Sequence, residues 1–130
     1  MVDGAAVRSC QVFAAAVDGR EVRTIEGIAA RDRATGAVIL HPVQKRFIEN
    51  GAIQCGLCIP GMIVSAAALL EHTPRPAEDE VRRALDGNLC RCTGYVKQVK
   101  SVQDAALDLA GEPGRAWKTA RAAARAPRES

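Results

Sequence analysis

Four cysteines in two tight pairs limit what this chain can fold into more than any other feature. Gln54-Cys55-Gly56-Leu57-Cys58-Ile59-Pro60-Gly61 carries a C-x-x-C spacing, and Asn88-Leu89-Cys90-Arg91-Cys92-Thr93-Gly94-Tyr95 carries a C-x-C spacing. The residues between them repeat apolar positions at helical intervals, so the two pairs flank one hairpin of helices. Thiolates gathered in this way have few uses besides holding a metal centre. Five cysteines in all, an odd number in a chain without a basic-then-apolar leader, fit a disulfide scaffold poorly.

The rest of the pattern places each pair just before a helix. Pro42 suits a first helical turn, Val43, Phe47 and Ile48 share a face, and Asn50-Gly51 closes that helix. A second helix begins near Pro60 with Ile63, Ala66, Ala67 and Leu70 as its apolar stripe. A third begins near Pro76, carries Glu78, Asp79 and Glu80 at its positive end and Val81 and Leu85 inward, and stops at Gly87. A fourth opens after Thr93 as N-cap, with Val96, Val99, Val102, Ala106 and Leu109 as its buried stripe, and ends at Gly111 and Pro113. Four short helices with short connections predict a mainly α fold, a compact bundle over residues 41–110. Hydrophobic residues at 48% with aromatics at only 3% suit a core of small apolar side chains on close-packed helices.

Residues 1–30 read as β. Asp3-Gly4 and Asp18-Gly19 are tight-turn signals, and Glu21-Val22-Arg23-Thr24-Ile25 alternates as a half-buried strand does. So little sheet does not stand alone. Residues 31–40 are turn-rich and read as a linker, and residues 111–130 as a basic tail. That tail holds five basic residues against Glu129 within 115–130, so the formal +3 charge resides there and the remainder is close to neutral. A basic tail with little aromatic company is a solvated segment rather than a nucleic-acid surface. No apolar run is long enough to span a membrane. The chain reads as cytoplasmic.

Helix N-termini offer unpaired N–H groups and positive dipole ends, which lower thiol pKa and favour a negatively charged metal–thiolate group. Gly56, Gly61 and Gly94 are read as letting the backbone turn so that N–H groups reach the sulfurs. By spacing alone, three readings stay open. A structural zinc site usually separates both cysteine pairs by two to four residues, and Cys90-Arg91-Cys92 is tighter. A thioredoxin-like dithiol would need a βαβ context. A four-thiolate iron–sulfur cluster fits both pairs.

The motifs Gln-Cys-Gly-x-Cys-x-Pro-Gly and Asn-Leu-Cys-Arg-Cys-Thr-Gly-Tyr resemble the helical [2Fe–2S] domain of the molybdenum hydroxylases, the family of the small subunits of carbon monoxide dehydrogenase, xanthine dehydrogenase and related aldehyde oxidoreductases. The likeness covers roughly residues 41–108, and Pro60-Gly61-Met62-Ile63 and Ser65-Ala66 continue it. It implies that Cys55, Cys58, Cys90 and Cys92 ligate one [2Fe–2S] cluster. It implies that Gln54 and the Cys92 segment lie near a molybdopterin cofactor held by a large partner subunit. It also implies electron transfer towards an FAD-binding medium subunit, with no substrate chemistry, catalytic residue, nucleic acid or membrane on this chain. The competing reading is a zinc-stabilised helical binding module without redox role.

The same family places a plant-type ferredoxin domain ahead of the bundle. Residues 1–30 resemble only its C-terminal remnant: Cys10 matches a fourth ligand, and Thr24-Ile25-Glu26-Gly27 resembles the domain's end. Three partner ligands have no counterpart, so Cys10 is an orphan. A start at an internal methionine or a truncated gene accounts for this, as does a missing segment on another polypeptide or a one-cluster protein. Val7, Val12 and Phe13 are expected to be exposed. His41 and His72 read as solvated or dipole-stabilising helix-end residues, Tyr95 as packing near the cluster, Arg91 as exposed or partner-facing, and Trp117 as a tail residue that either anchors on a partner or is idle.

Overall fold

The computed structural model describes residues 1–111, and the basic tail with Trp117 lies outside them. Four helices follow a short hairpin: β1 (Ala30–Arg31), β2 (Val38–Ile39), α1 (Pro42–Glu49), α2 (Ile59–His72), α3 (Glu78–Leu85) and α4 (Val96–Ala110). The fold is mostly helical, with β1 and β2 antiparallel in the register Ala30 to Ile39 and Arg31 to Val38. The stretch read as a linker is therefore the turn of this hairpin, held by Asp32, whose carboxylate accepts from the N–H groups of Ala34 and Thr35.

The helices form where the apolar stripes lie. Val43, Phe47, Met62, Ile63, Ala66, Ala67, Leu70, Val81, Leu85, Val99, Val102 and Ala106 are all buried in one core. Pro42 opens α1, and Asn50 and Gly51 close it with bonds back to Arg46 and Ile48 carbonyls. In α3 the acidic first turn and Arg82 and Arg83 in the last suit the helix dipole. Along the seam of α1 and α4, Arg46 clamps Asp108 with two bonds of 2.6 Å, and Asn50 Nδ2 reaches Ser101 Oγ and Asp104.

Several stripe ends differ from expectation. Ile48 and Val96 are exposed: Ile48 turns away from the core that its neighbour Phe47 enters, and Val96 is the first residue of α4. The fourth helix begins at Val96 and not after Thr93; Tyr95 precedes it in a left-handed conformation (φ 69°). Gly87 follows a helix whose C-cap is Asp86.

Residues 1–30 hold three short 3-10 turns and two isolated bridges, with a strand only at Ala30, where β1 begins. Asp3-Gly4 does make a two-residue turn, with φ of 47° and 86° and mutual Val2–Ala5 backbone bonds. The alternation at 21–25 is inverted: Val22 is exposed while Arg23 is buried. Arg23 turns inward because its guanidinium meets Glu71 on α2 through bonds of 2.8 and 2.9 Å. Val7 and Phe13 are exposed, and Val12 is half-buried.

His41 is not a solvated histidine. It is buried as the N-cap of α1, its Nδ1 accepting from Val43 N–H at 3.0 Å while Gln44 Oε1 accepts from its own N–H. Burial, with Arg23 nearby, pushes its pKa down to about 4. His72 is exposed in the last turn of α2, as expected.

Candidate metal centre

The two cysteine loops meet at one end of the helices. Cys58 is the N-cap of α2, and Pro60 sits in the first turn, where its missing N–H costs nothing. Gly56 adopts φ 87°, a conformation that a side chain disfavours, and this bends the loop so that the Leu57 N–H reaches Cys55 Sγ. The second loop, 88–95, folds back towards the first before entering α4. Cys55, Cys58, Cys90 and Cys92 line one cleft of about 330 Å3 together with Leu57, Gly61, Asn88, Leu89 and Arg91.

The thiols pair across the loops. Cys92 Sγ lies 3.5 Å from Cys55 Sγ, and the Cys58 and Cys90 thiols are near enough to shift one another's ionisation. None is in a disulfide. Among the described residues, no group of three or more His, Cys, Asp or Glu side chains is gathered for a single ion.

Their environments differ in kind. Cys90 is brought down to about 7, first by the Thr93 hydroxyl and then by the N–H groups of Cys92 and Thr93. The Leu57 N–H, followed by the Cys92 thiol, lowers Cys55. Burial pushes Cys58 up to about 11, with Cys90 adding to it. Cys92 is raised by the bond to Cys55, which uses its proton. Each cross-loop pair thus joins one thiol that readily ionises to one that holds its proton. A metal centre would take all four as thiolates.

The helix-terminus reading of the cysteines holds for the first loop, and N–H groups do reach Sγ atoms in both. Gly61 has a different use from the one expected. It lies within α2, and a Cβ there would overlap Asn88 Oδ1, whose side chain bonds Ser65 Oγ at 3.0 Å. The glycine lets the second loop lie directly on α2. Gln54 is exposed beside Cys55 and Arg91 is exposed at the rim of the cleft, while Cys10 is exposed in the 3-10 turn Ser9–Gln11 and does not line the cleft.

Of three neighbours, Thr93 was misread, Tyr95 packs as read and Gln98 was missed. Thr93 does not cap α4; its Oγ1 lies 3.1 Å from Cys90 Sγ. Tyr95 packs against the core and its OH accepts from the Cys90 N–H at 2.6 Å, a contact that anchors its left-handed backbone. Gln98 is fully buried in α4 and donates to Ala52 O at 2.9 Å and to Thr93 Oγ1 at 2.5 Å. Its spacing from Tyr95, Val99 and Val102 put it on the buried face, and a polar residue there was the available signal.

With the geometry in hand, the relatives can be placed beside it. The chain belongs to the [2Fe–2S] binding domain family, which matches residues 24–103. It is 47% identical over 114 residues to the nicotine 6-hydroxylase small subunit of Paenarthrobacter nicotinovorans, covering 88% of this chain and 65% of that protein. It is 44% identical over 109 residues to the xanthine dehydrogenase iron-sulfur-binding subunit of Escherichia coli O157:H7, covering 80% of this chain and 63% of that one. Quinoline 2-oxidoreductase from Pseudomonas putida 86 superposes with a TM-score of 0.74 at 34% identity, covering 90% of this chain and 67% of its own. The chain therefore spans about two thirds of the length of these relatives. The resemblance read from the cysteine motifs holds, and the cofactor of the family is the [2Fe–2S] cluster.

Four thiols in two pairs, with N–H and O–H donors aimed at sulfur, fit a two-iron cluster with four cysteine ligands. No helix among the described residues is long and apolar enough to cross a membrane.

Proposed function

We propose that this chain is the iron–sulfur electron-transfer component of a molybdenum hydroxylase-type oxidoreductase, with Cys55, Cys58, Cys90 and Cys92 as the four ligands of one [2Fe–2S] cluster. The observation that carries this is the convergence of two loops on one cleft lined by all four thiols, with Cys55 and Cys92 in contact across the loops at 3.5 Å. When bound, such a cluster takes up and returns one electron, the chemistry of a relay between a molybdopterin site on a large partner subunit and a flavin or other acceptor.

The chain's own residues supply the ligands, their hydrogen-bond donors and a rim. Leu57 and Leu89 flank the cleft with 90% and 86% of their surface exposed. Apolar side chains so placed suit an interface with a partner subunit, and Gln54 and the Cys92 segment would face its pterin. An FAD-binding medium subunit completes the proposed assembly, in the cytoplasm. Residues 1–30 are proposed as the C-terminal remnant of a ferredoxin-like domain with Cys10 as an orphan ligand; exposed Val7 and Phe13 support this. The bundle occupies residues 41–110, following 31–40.

A visible absorption spectrum tests the reading. Anaerobically purified full chain should be red-brown, with iron and acid-labile sulfide in about equal amounts. A colourless product with stoichiometric zinc would establish the zinc-stabilised module instead.

A further inference from the structure

Gln98 sits in α4 with no exposed surface, and its Oε1 has no hydrogen-bond partner. A buried unpaired oxygen is unfavourable, and an apolar side chain of the same length would remove it. The bond to the buried Ala52 carbonyl accounts for one of the two protons of its NH2 group. The other proton is directed at the metal-centre loop.

The contact with Ala52 fixes which way the amide points. A carbonyl oxygen only accepts, so the atom 2.9 Å from Ala52 O is the NH2 nitrogen. The second proton of that NH2 faces Thr93 Oγ1 at 2.5 Å, so the hydroxyl accepts there. The Tyr95 N–H lies at 3.5 Å on the same oxygen. With its lone pairs so occupied, the hydroxyl has its own proton left to give, and Cys90 Sγ lies 3.1 Å away. The chain of bonds has one direction, from Gln98 through Thr93 to the Cys90 sulfur.

We propose that Gln98 is a positioning residue for the metal centre, holding the Thr93 hydroxyl as a donor to the Cys90 thiolate and thereby raising the reduction potential of a cluster bound there. This rests on the cluster reading above. A donor to a ligand sulfur stabilises the more negative, reduced form. A hydroxyl that itself accepts a hydrogen bond is a better donor, so Gln98 acts although it never touches sulfur. Of the four ligands, Cys90 would feel this effect most.

The experiment is an anaerobic redox titration of the cluster-loaded full chain, followed by visible absorption and electron paramagnetic resonance. Thr93→Val and Gln98→Met should each lower the reduced-to-oxidised ratio at a fixed ambient potential by three- to tenfold, tenfold being about 59 mV for a one-electron couple. Thr93→Ser keeps the hydroxyl and should keep the parental potential. Because the bonds are in series, the double variant should shift no further than Thr93→Val alone. A parental potential in Gln98→Met, an additive double variant, or loss of the cluster in Gln98→Met would each overturn the inference. A colourless parent chain would end the cluster reading itself, whereas a coloured parent with unmoved variants ends only this one.

Discussion

Residues 41–110 and residues 1–40 are ordered by different means. The helical region buries a continuous apolar core from all four helices, with Phe47, Met62, Val81 and Val102 at no exposure. The amino-terminal region contributes four buried side chains, Met1, Arg23, Ile28 and Ala30. Its segments are 3-10 turns, single bridges and a two-residue-per-strand hairpin, and it is tied to α2 by the Arg23–Glu71 pair. One region makes its own core, and the other is a layer whose order depends on the first. Cys55, Cys58, Cys90 and Cys92 all belong to the self-sufficient region; Cys10 belongs to the layer.

The comparison can be broken most directly at the metal centre. Cys90→Ser should abolish cluster loading while leaving most of the far-ultraviolet helical signal, because the apolar stripes persist without the ligand. Collapse of the helices in that variant would mean that the bundle is not self-sufficient. Phe47→Ala empties the centre of the core and should cost about 3–5 kcal/mol. Urea unfolding should then show both regions lost in one transition at lower denaturant. A separate early transition confined to residues 41–110 would reverse the assigned dependence.

The third test uses pH. His41 titrates near 4 in the folded chain, lowered by burial and by Arg23, against 6.5 for the free side chain. Between those values the unfolded chain binds more protons, so its neutral burial contributes stability that is full above about 6.5 and falls as pH drops towards 4. The loss is roughly 3 kcal/mol across that window. His41→Asn offers a capping oxygen in place of the imidazole Nδ1 and should flatten the slope; equal slopes by urea unfolding at each pH would refute the assignment. Arg23 is the charged group that acts on that side chain, and Glu71 and Arg75 line the same cavity.

The smallest expected effect sharpens the boundary between the regions. Arg23→Ala removes the tether, and because the Glu71 carboxylate is partly exposed the cost should be only about 1–2 kcal/mol. Hydrogen exchange should quicken within residues 1–28 while α4 stays protected. Uniform quickening would show the two regions to be one cooperative unit.

Much of the bundle was legible because helical periodicity and core burial express the same pattern: Ile63, Ala66, Ala67 and Leu70 are buried as read. The meeting of the two cysteine loops was legible because each pair's spacing is local, and the structure brings both pairs to one cleft. What failed depended on contacts distant in sequence. Arg23 turns inward for Glu71, 48 residues away, and no strand pattern anticipates that. His41 reads as a helix-end histidine, but the fold buries it as a cap. Thr93 offers an N-cap in sequence, yet Gln98 and Cys90 claim its hydroxyl first. Gly61 was rightly singled out, but the neighbour that requires it, Asn88, is known only from the packing.

The cross-loop pairing of thiols has a topological consequence. Neither loop holds both members of a pair, so a bridge from Cys58 to Cys90 closes a covalent ring that contains all of α2 and α3. By the chain-entropy estimate for disulfides, a ring of that length restricts the unfolded chain by about 3–4 kcal/mol. With the proposed ligands, loading the centre would act as a reversible cross-link on the folded state, and losing it would reopen the ring without breaking any bond in the polypeptide.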